Sequence, residues 1–160
     1  MVKQAQTEGY TEPDPRIDLS GVDVKRKITI LIRESGYKVE MDDISVKSFL
    51  PDSCFAVESV DSFFEELKKS ESHFKQMVKT AQDKNEKLRI VAVFDGEKAK
   101  VEMQSVDSSH PFYNLQGKDN IVVLYTTRYA EQPMVIQGAG AGAAVTAAGV
   151  FADIIRVANY

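Results

Sequence analysis

The residues best suited to chemistry crowd into one stretch, Gly9 to Lys27, which reads GYTEPDPRIDLSGVDVKRK. Glu12, Asp14, Asp18 and Asp23 fall close together in a turn-rich segment leading into a helix. Converging carboxylates can hold an ammonium group on a small molecule. A lysine nearby can move a proton on and off a hydroxyl. Lys27 follows Asp23 by four positions, so on a helix the two share one face. The same spacing also describes an ordinary surface ion pair worth about 0.2–0.5 kcal/mol. Acids near prolines in a loop are commonly just solvated. Spacing alone therefore names no reaction.

The elements that must position these groups can be read from punctuation and periodicity. Val2 to Glu8 reads as the tail of a helix stopped by Gly9 in the C′ position. So short a helix at residue 1 suggests that the chain begins within a longer protein. Pro13 and Pro15 require Tyr10 to Asp18 to be extended or turned. Ser20-Gly21-Val22-Asp23 resembles a capping box with Asp in place of Glu. The helix it opens should run to about Ser35, with Gly36 as its stop. Val24, Ile28, Leu31 and Ile32 form the apolar stripe of that helix.

Ile44 to Phe49 alternates as a strand and ends before Pro51. Two amphipathic helices follow. Val60, Phe63, Phe64 and Leu67 mark the first; Phe74, Met77, Val78 and Ala81 mark the second. Leu88 to Phe94 and Lys98 to Gln104 read as strands joined by a hairpin at Asp95-Gly96. Ser109-His110-Pro111 breaks the chain. Asn120 to Thr127 and Met134 to Ile136 are further strands, and residues 145–158 a closing helix. Strands joined by a tight hairpin, with helices between and after, predict an α+β fold: a mixed, largely antiparallel sheet with helices packed on it.

Composition narrows the function classes. The chain has 160 residues, 43% hydrophobic and 28% charged, with a net charge of -4. That is the size and balance of one globular domain. Basic residues are interspersed with acidic ones, so no nucleic-acid stripe is present. The lone Cys54 allows no intrachain disulfide, fits a reducing cytoplasm and reads as a buried or half-buried thiol. Two histidines, and carboxylates without ligand spacing, point to no metal site. Gln132 to Ala152 carries no charge but is too rich in glycine for a membrane span. It reads better as a buried strand followed by a buried helix.

Gly138-Ala139-Gly140-Ala141-Gly142-Ala143 imitates the G-x-G-x-x-A dinucleotide fingerprint. A nucleotide-binding half needs a further parallel strand with an acid about 20 residues on, and the chain ends at Tyr160. Close packing explains the glycines better. A lesser role remains open, in which bare N–H groups at the start of the last helix face an anion or a cofactor edge.

At this point a resemblance enters. GYTEPDPRIDLSGVDVKRK is similar to the substrate segment of homoserine dehydrogenases, whose common form is close to GYTEPDPRDDLSGxDVARK. HPFYNLQGKDNIVVLYTTRY and QGAGAGAAVTAAGVFADIIRVA resemble later segments of the family, in family order. The resemblance covers nearly the whole chain. It implies an oxidoreductase that interconverts L-homoserine and L-aspartate 4-semialdehyde with NAD or NADP, on the route to threonine and methionine. Lys27 matches the catalytic lysine. Glu12 and Asp23 match substrate-binding carboxylates, and Asp18 and Tyr10 further pocket positions. Gly140 matches a loop that approaches the cofactor.

The resemblance also implies what lies outside this sequence. The nucleotide-binding Rossmann domain that binds most of the cofactor, and a second lysine near the hydride-transfer site, precede this segment in the family. Residues 1–160 would then be a substrate-binding and dimerisation region, inactive alone. The resemblance fits a single-function enzyme or an aspartokinase fusion. It further implies a homodimer, with the sheet around Val91 to Thr127 at the interface. Ile17 and Lys25 depart from the family pattern, which has Asp and Ala there; neither position carries an assigned role. In homoserine oxidation Lys27 must first lose its proton, so an alkaline optimum is expected. A rival reading is a non-catalytic amino-acid-binding regulatory module, which would use Glu12 and Asp23 but not Lys27.

Overall fold

A computed structural model of the chain describes residues 2–8, 11–117, 119–140 and 142–159. The chain clusters into two units, Met1–Val106 and Asp107–Tyr160. The break expected at Ser109-His110-Pro111 lies just past this boundary.

In the first unit the elements run α1 (Val2–Thr7), α2 (Pro15–Leu19), α3 (Val22–Glu34), β1 (Ile44–Lys47), α4 (Val60–Lys69), α5 (Glu71–Asp83), β2 (Lys87–Phe94) and β3 (Ala99–Val106). The three strands form one mixed sheet in the order β1-β3-β2. β1 pairs with β3 in parallel, Val46 opposite Val101. β2 and β3 form the antiparallel hairpin expected at Asp95-Gly96, with Phe94 opposite Ala99. Gly96 takes φ 100°, and the Asp95 carboxylate accepts from the backbone N–H groups of Glu97 and Lys98. These bonds hold the Asp95 carboxyl below the usual carboxylate range.

Two buried clusters support this unit. Ile32, Ile44, Ala99 and Val101 form the first, with Val24, Ile28 and Ile90 against it. Leu50, Cys54 and Phe63 form the second, with Leu19, Leu67 and Phe74 against it. The apolar stripe of α3 thus reaches the core through Val24, Ile28 and Ile32, while Leu31 is 39% exposed. Thr29 takes a buried place beside them, its hydroxyl donating to the Lys25 carbonyl at 2.7 Å. Cys54 is a buried thiol, as expected, and burial pushes its ionisation up.

Two local expectations are overturned around the acidic segment. Residues 15–18 are not extended or turned but lie in α2. Pro15 sits at its first position, where the missing N–H costs nothing and φ is already helical. Asp14 caps it, its carboxylate accepting from Arg16 N at 3.0 Å. Nor does a capping box open α3. Ser20 closes α2 instead, its hydroxyl donating to the Ile17 carbonyl at 2.7 Å. The N-cap of α3 is Gly21, at φ 80°. The stop expected at Gly9 lies outside the described residues.

In the second unit β4 (Asp119–Leu124) and β5 (Met134–Ala139) form a separate antiparallel pair, followed by α6 (Ala143–Ala158). β4 ends three residues before the expected Thr127, and β5 runs three past the expected Ile136. The glycine-bearing chain continues the ladder, with Gly138 opposite Asn120. Val91 and Ile121 therefore belong to different sheets, and among the described residues no single sheet spans 91–127. The expected strand and helix in residues 132–152 both form, but neither is buried. Their apolar side chains stand open: Ile136 is 55%, Phe151 63% and Ile154 58% exposed.

Among the described residues no helix is long and apolar enough to cross a membrane. No group of three potential metal ligands occurs among them either.

Candidate functional site

The acidic segment is slung between the two clusters of the first unit. Leu19, at the end of α2, packs on the Phe63 cluster, while Val24 and Ile28 of α3 pack on the Ile32 cluster. The turn at Ser20-Gly21 joins them. A left-handed glycine here lets α3 leave immediately after α2 ends. An added Cβ on Gly21 would meet Val101 and Val46 at 3.4 and 3.5 Å. Asp23 falls in the first turn of α3, where the helix dipole favours a carboxylate.

Asp23 and Lys27 do meet. Lys27 Nζ lies 2.7 Å from Asp23 Oδ2, and the two side chains are 61% and 48% exposed, Asp23 the more so. So open a pair adds little to stability. It places a cation and an acceptor side by side within reach of a ligand. Glu12 stands on the loop before α2, exposed. Its backbone N–H donates to Asp18 Oδ2 at 2.9 Å, so Asp18 shapes the loop that carries Glu12. Tyr10 lies outside the described residues.

Asp14 is committed elsewhere. Its carboxylate accepts from Arg16 Nε at 2.9 and 3.0 Å and from Nη2 at 2.6 Å. The Arg16 hydrogen bonds hold the Asp14 carboxyl below its ordinary range against a smaller opposing effect of burial. Of the four acids in the segment, Asp14 is thus a structural partner of Arg16. Sequence reasoning passed over Arg16. The signal for it was Asp-Pro-x at a helix start, which makes Asp14 a cap and puts the Arg16 backbone beside its carboxylate.

Gly140 belongs to the second unit and follows β5. A Cβ there would collide with the Asn120 side-chain amide on β4. A larger residue here would require the Asn120 side chain to move. Gly142, by contrast, has open space around it and takes φ 130° as the N-cap of α6. β5 pairs with its neighbour in antiparallel fashion, so this strand–turn–helix is not half of a parallel nucleotide-binding sheet.

A family model described as homoserine dehydrogenase matches residues 1–155. The chain belongs to that family. It is 44% identical to "Bifunctional aspartokinase/homoserine dehydrogenase 2, chloroplastic" of Zea mays, covering 100% of this chain and 18% of that protein. It is 46% identical to the homoserine dehydrogenase of Saccharomyces cerevisiae, covering 99% of this chain and 45% of that one. A crystal structure of a Candida auris protein of unknown function superposes with a TM-score of 0.89 at 42% identity, over 99% of this chain and 45% of that chain. The chain thus spans less than half the length of each of these relatives. A crystal structure of a putative homoserine dehydrogenase from Archaeoglobus fulgidus shares the α+β architecture, with a TM-score of 0.70 at 25% identity over 98% of this chain and 41% of that chain.

Proposed function

We propose that this chain is the substrate-binding part of an NAD(P)-dependent homoserine dehydrogenase, interconverting L-homoserine and L-aspartate 4-semialdehyde in amino-acid biosynthesis. The observation that supports it most is the Asp23–Lys27 contact, made inside the segment that most resembles the family. Lys27 is assigned the proton at the substrate hydroxyl: it gives that proton to the nascent alkoxide in reduction and takes it in oxidation. Asp23 orients the lysine and, with Glu12, meets the substrate ammonium. Asp18 holds the Glu12 loop, and Tyr10 is assigned to the pocket wall.

NAD or NADP accepts or donates the hydride when bound. Residues outside this chain would hold most of it. The unfilled space at Gly142 and the start of α6 suits a flanking contact beside Gly140, and no more. Residues 1–160 would form one functional region of the enzyme, working as a homodimer. Alone they should turn over no homoserine.

The test is Lys27→Ala in the full-length protein that carries this chain. Turnover should fall by about 10²–10⁴-fold, the usual worth of a positioned acid–base group. Homoserine binding, followed by calorimetry, should be largely kept. Unchanged turnover with altered effector response would defeat the catalytic assignment and favour an amino-acid-binding regulatory module.

A further inference from the structure

We infer that Arg16 is a positioning residue, a clamp that fixes the acidic loop against the body of the first unit; the inference rests on reading that loop as a substrate site. Arg16 reaches far along the chain. Its Nη1 donates to the Val57 carbonyl at 2.5 Å, and its Nη2 lies 3.5 Å from the Glu58 carbonyl. These two carbonyls precede α4, more than forty positions away in sequence. The guanidinium also sits 6.0 Å from the ring centroid of Phe63, which is fully buried.

On its other side the same group grips Asp14 through Nε and Nη2, the fork-on-carboxylate geometry that only arginine offers. The Arg16 side chain is 19% exposed, less than that of Asp14 at 31%. Donors at Nε, Nη1 and Nη2 are all engaged, so Arg16 has little left with which to bind a ligand.

The consequence is geometric. Asp14 caps α2, and α2 carries Asp18, whose carboxylate holds the Glu12 backbone. Arg16 fastens that whole assembly to the chain before α4, while Leu19 pins the other end of α2 in the Phe63 cluster. Without the clamp α2 keeps its apolar anchor but loses its polar one, and the loop bearing Glu12 gains freedom. A displacement of about 1 Å at a binding group can cost up to 10²-fold in rate.

The test is Arg16→Lys, with Asp14→Asn beside it, in the full-length protein. Lysine keeps the charge and loses the fork. kcat/KM for L-homoserine should fall by up to about a hundredfold, chiefly through a raised KM. The fall in kcat should be much smaller, and KM for the nicotinamide cofactor unchanged. Thermal midpoints should fall only slightly, with both variants still folded at assay temperature. In the same proteins, deuterium uptake of the peptide covering residues 11–18 should quicken, and uptake elsewhere should not. An unchanged KM for homoserine in a folded variant overturns the clamp. So does a rise in both KM values together, which marks general loosening. Should Arg16→Lys not fold, a raised homoserine KM in Asp14→Asn sustains the clamp, and a normal one overturns it. The deuterium readout is independent of turnover. If Lys27→Ala leaves catalysis intact, the dehydrogenase reading falls, and uptake at residues 11–18 still reports whether Arg16 holds the loop.

Discussion

Residues 2–106 and residues 107–159 use the same kinds of element and differ in what lies over their apolar side chains. In the first unit Phe63 and Cys54 are fully buried, and Ile32, Ile44 and Val101 nearly so. In the second, no described residue is buried. α6 offers Phe151, Ile154 and Val157 to the surface at 63%, 58% and 76% exposure. The first unit therefore positions its loop and its lysine with its own core. The second carries an apolar helix and strand whose described side chains stand largely exposed. A single amphipathic helix is stabilised mainly by the surface it packs on, so the two units should answer very differently to the same kind of mutation.

The largest effect should come from truncation inside the better core. Phe63→Ala removes a ring that fills the second cluster, and a buried Phe→Ala change costs about 3–5 kcal/mol. Ile154→Ala on α6 should change stability by no more than about 0.5 kcal/mol, since its side chain already meets solvent. Urea denaturation of the chain, followed by circular dichroism, measures both. A cost for Ile154→Ala approaching that of Phe63→Ala would show that α6 is covered in solution and break the contrast.

The same contrast explains what could be read in the sequence. The α3 stripe, the Asp95-Gly96 hairpin and the two helices around Phe63 and Ala81 all followed from periodicity and turn chemistry, because their partners lie within the first unit. In residues 132–152 the element types were legible, but their burial was not. Periodicity shows that an apolar face exists; it does not show who covers it. The acidic segment failed for another reason. Pro15 was read as a helix breaker when its place just after Asp14 made it a helix starter. That one local misreading hid α2, moved the cap of α3 from Ser20 to Gly21, and concealed Arg16. The Asp23–Lys27 pair survived because an i,i+4 contact needs only the helix.

A smaller effect, still within the first unit, separates backbone strain from packing. Gly21→Ala forces an L side chain into φ 80°, where a left-handed conformation costs about 1–2 kcal/mol. The new methyl would find Val101 and Val46 at ordinary contact distance, so the backbone carries most of the cost. Gly36→Ala, at φ 90° with open space around it, supplies the control. Nearly equal losses in urea would assign the effect to φ alone. A much larger loss at Gly21 would mean that the sheet beneath the turn leaves no room, and that the site rests on the core more tightly than its geometry suggests.

The smallest effect is the one that pH can isolate. Asp14 has a folded-state carboxyl held below its ordinary value, chiefly by hydrogen bonds from the Arg16 side chain. A depressed carboxyl adds stability that is fully present above the unfolded value, about 3.9. That stability drains away as pH falls through the lower folded value. Asp14→Asn should therefore be less stable than wild type at neutral pH by a nearly constant margin. The margin should hold down to about pH 4 and shrink below it, where wild type loses the same charge by protonation. In the second unit the Asp107 carboxyl is likewise held below its ordinary value. That group is turned down by Ser109 at the very start of the unit. Asp107→Asn should show the same sign of pH dependence, and because Asp107 is fully exposed, a weaker one. A margin for Asp14→Asn that persists unchanged to pH 2 would place the contribution of Asp14 in its neutral contacts and not in the ion pair with Arg16.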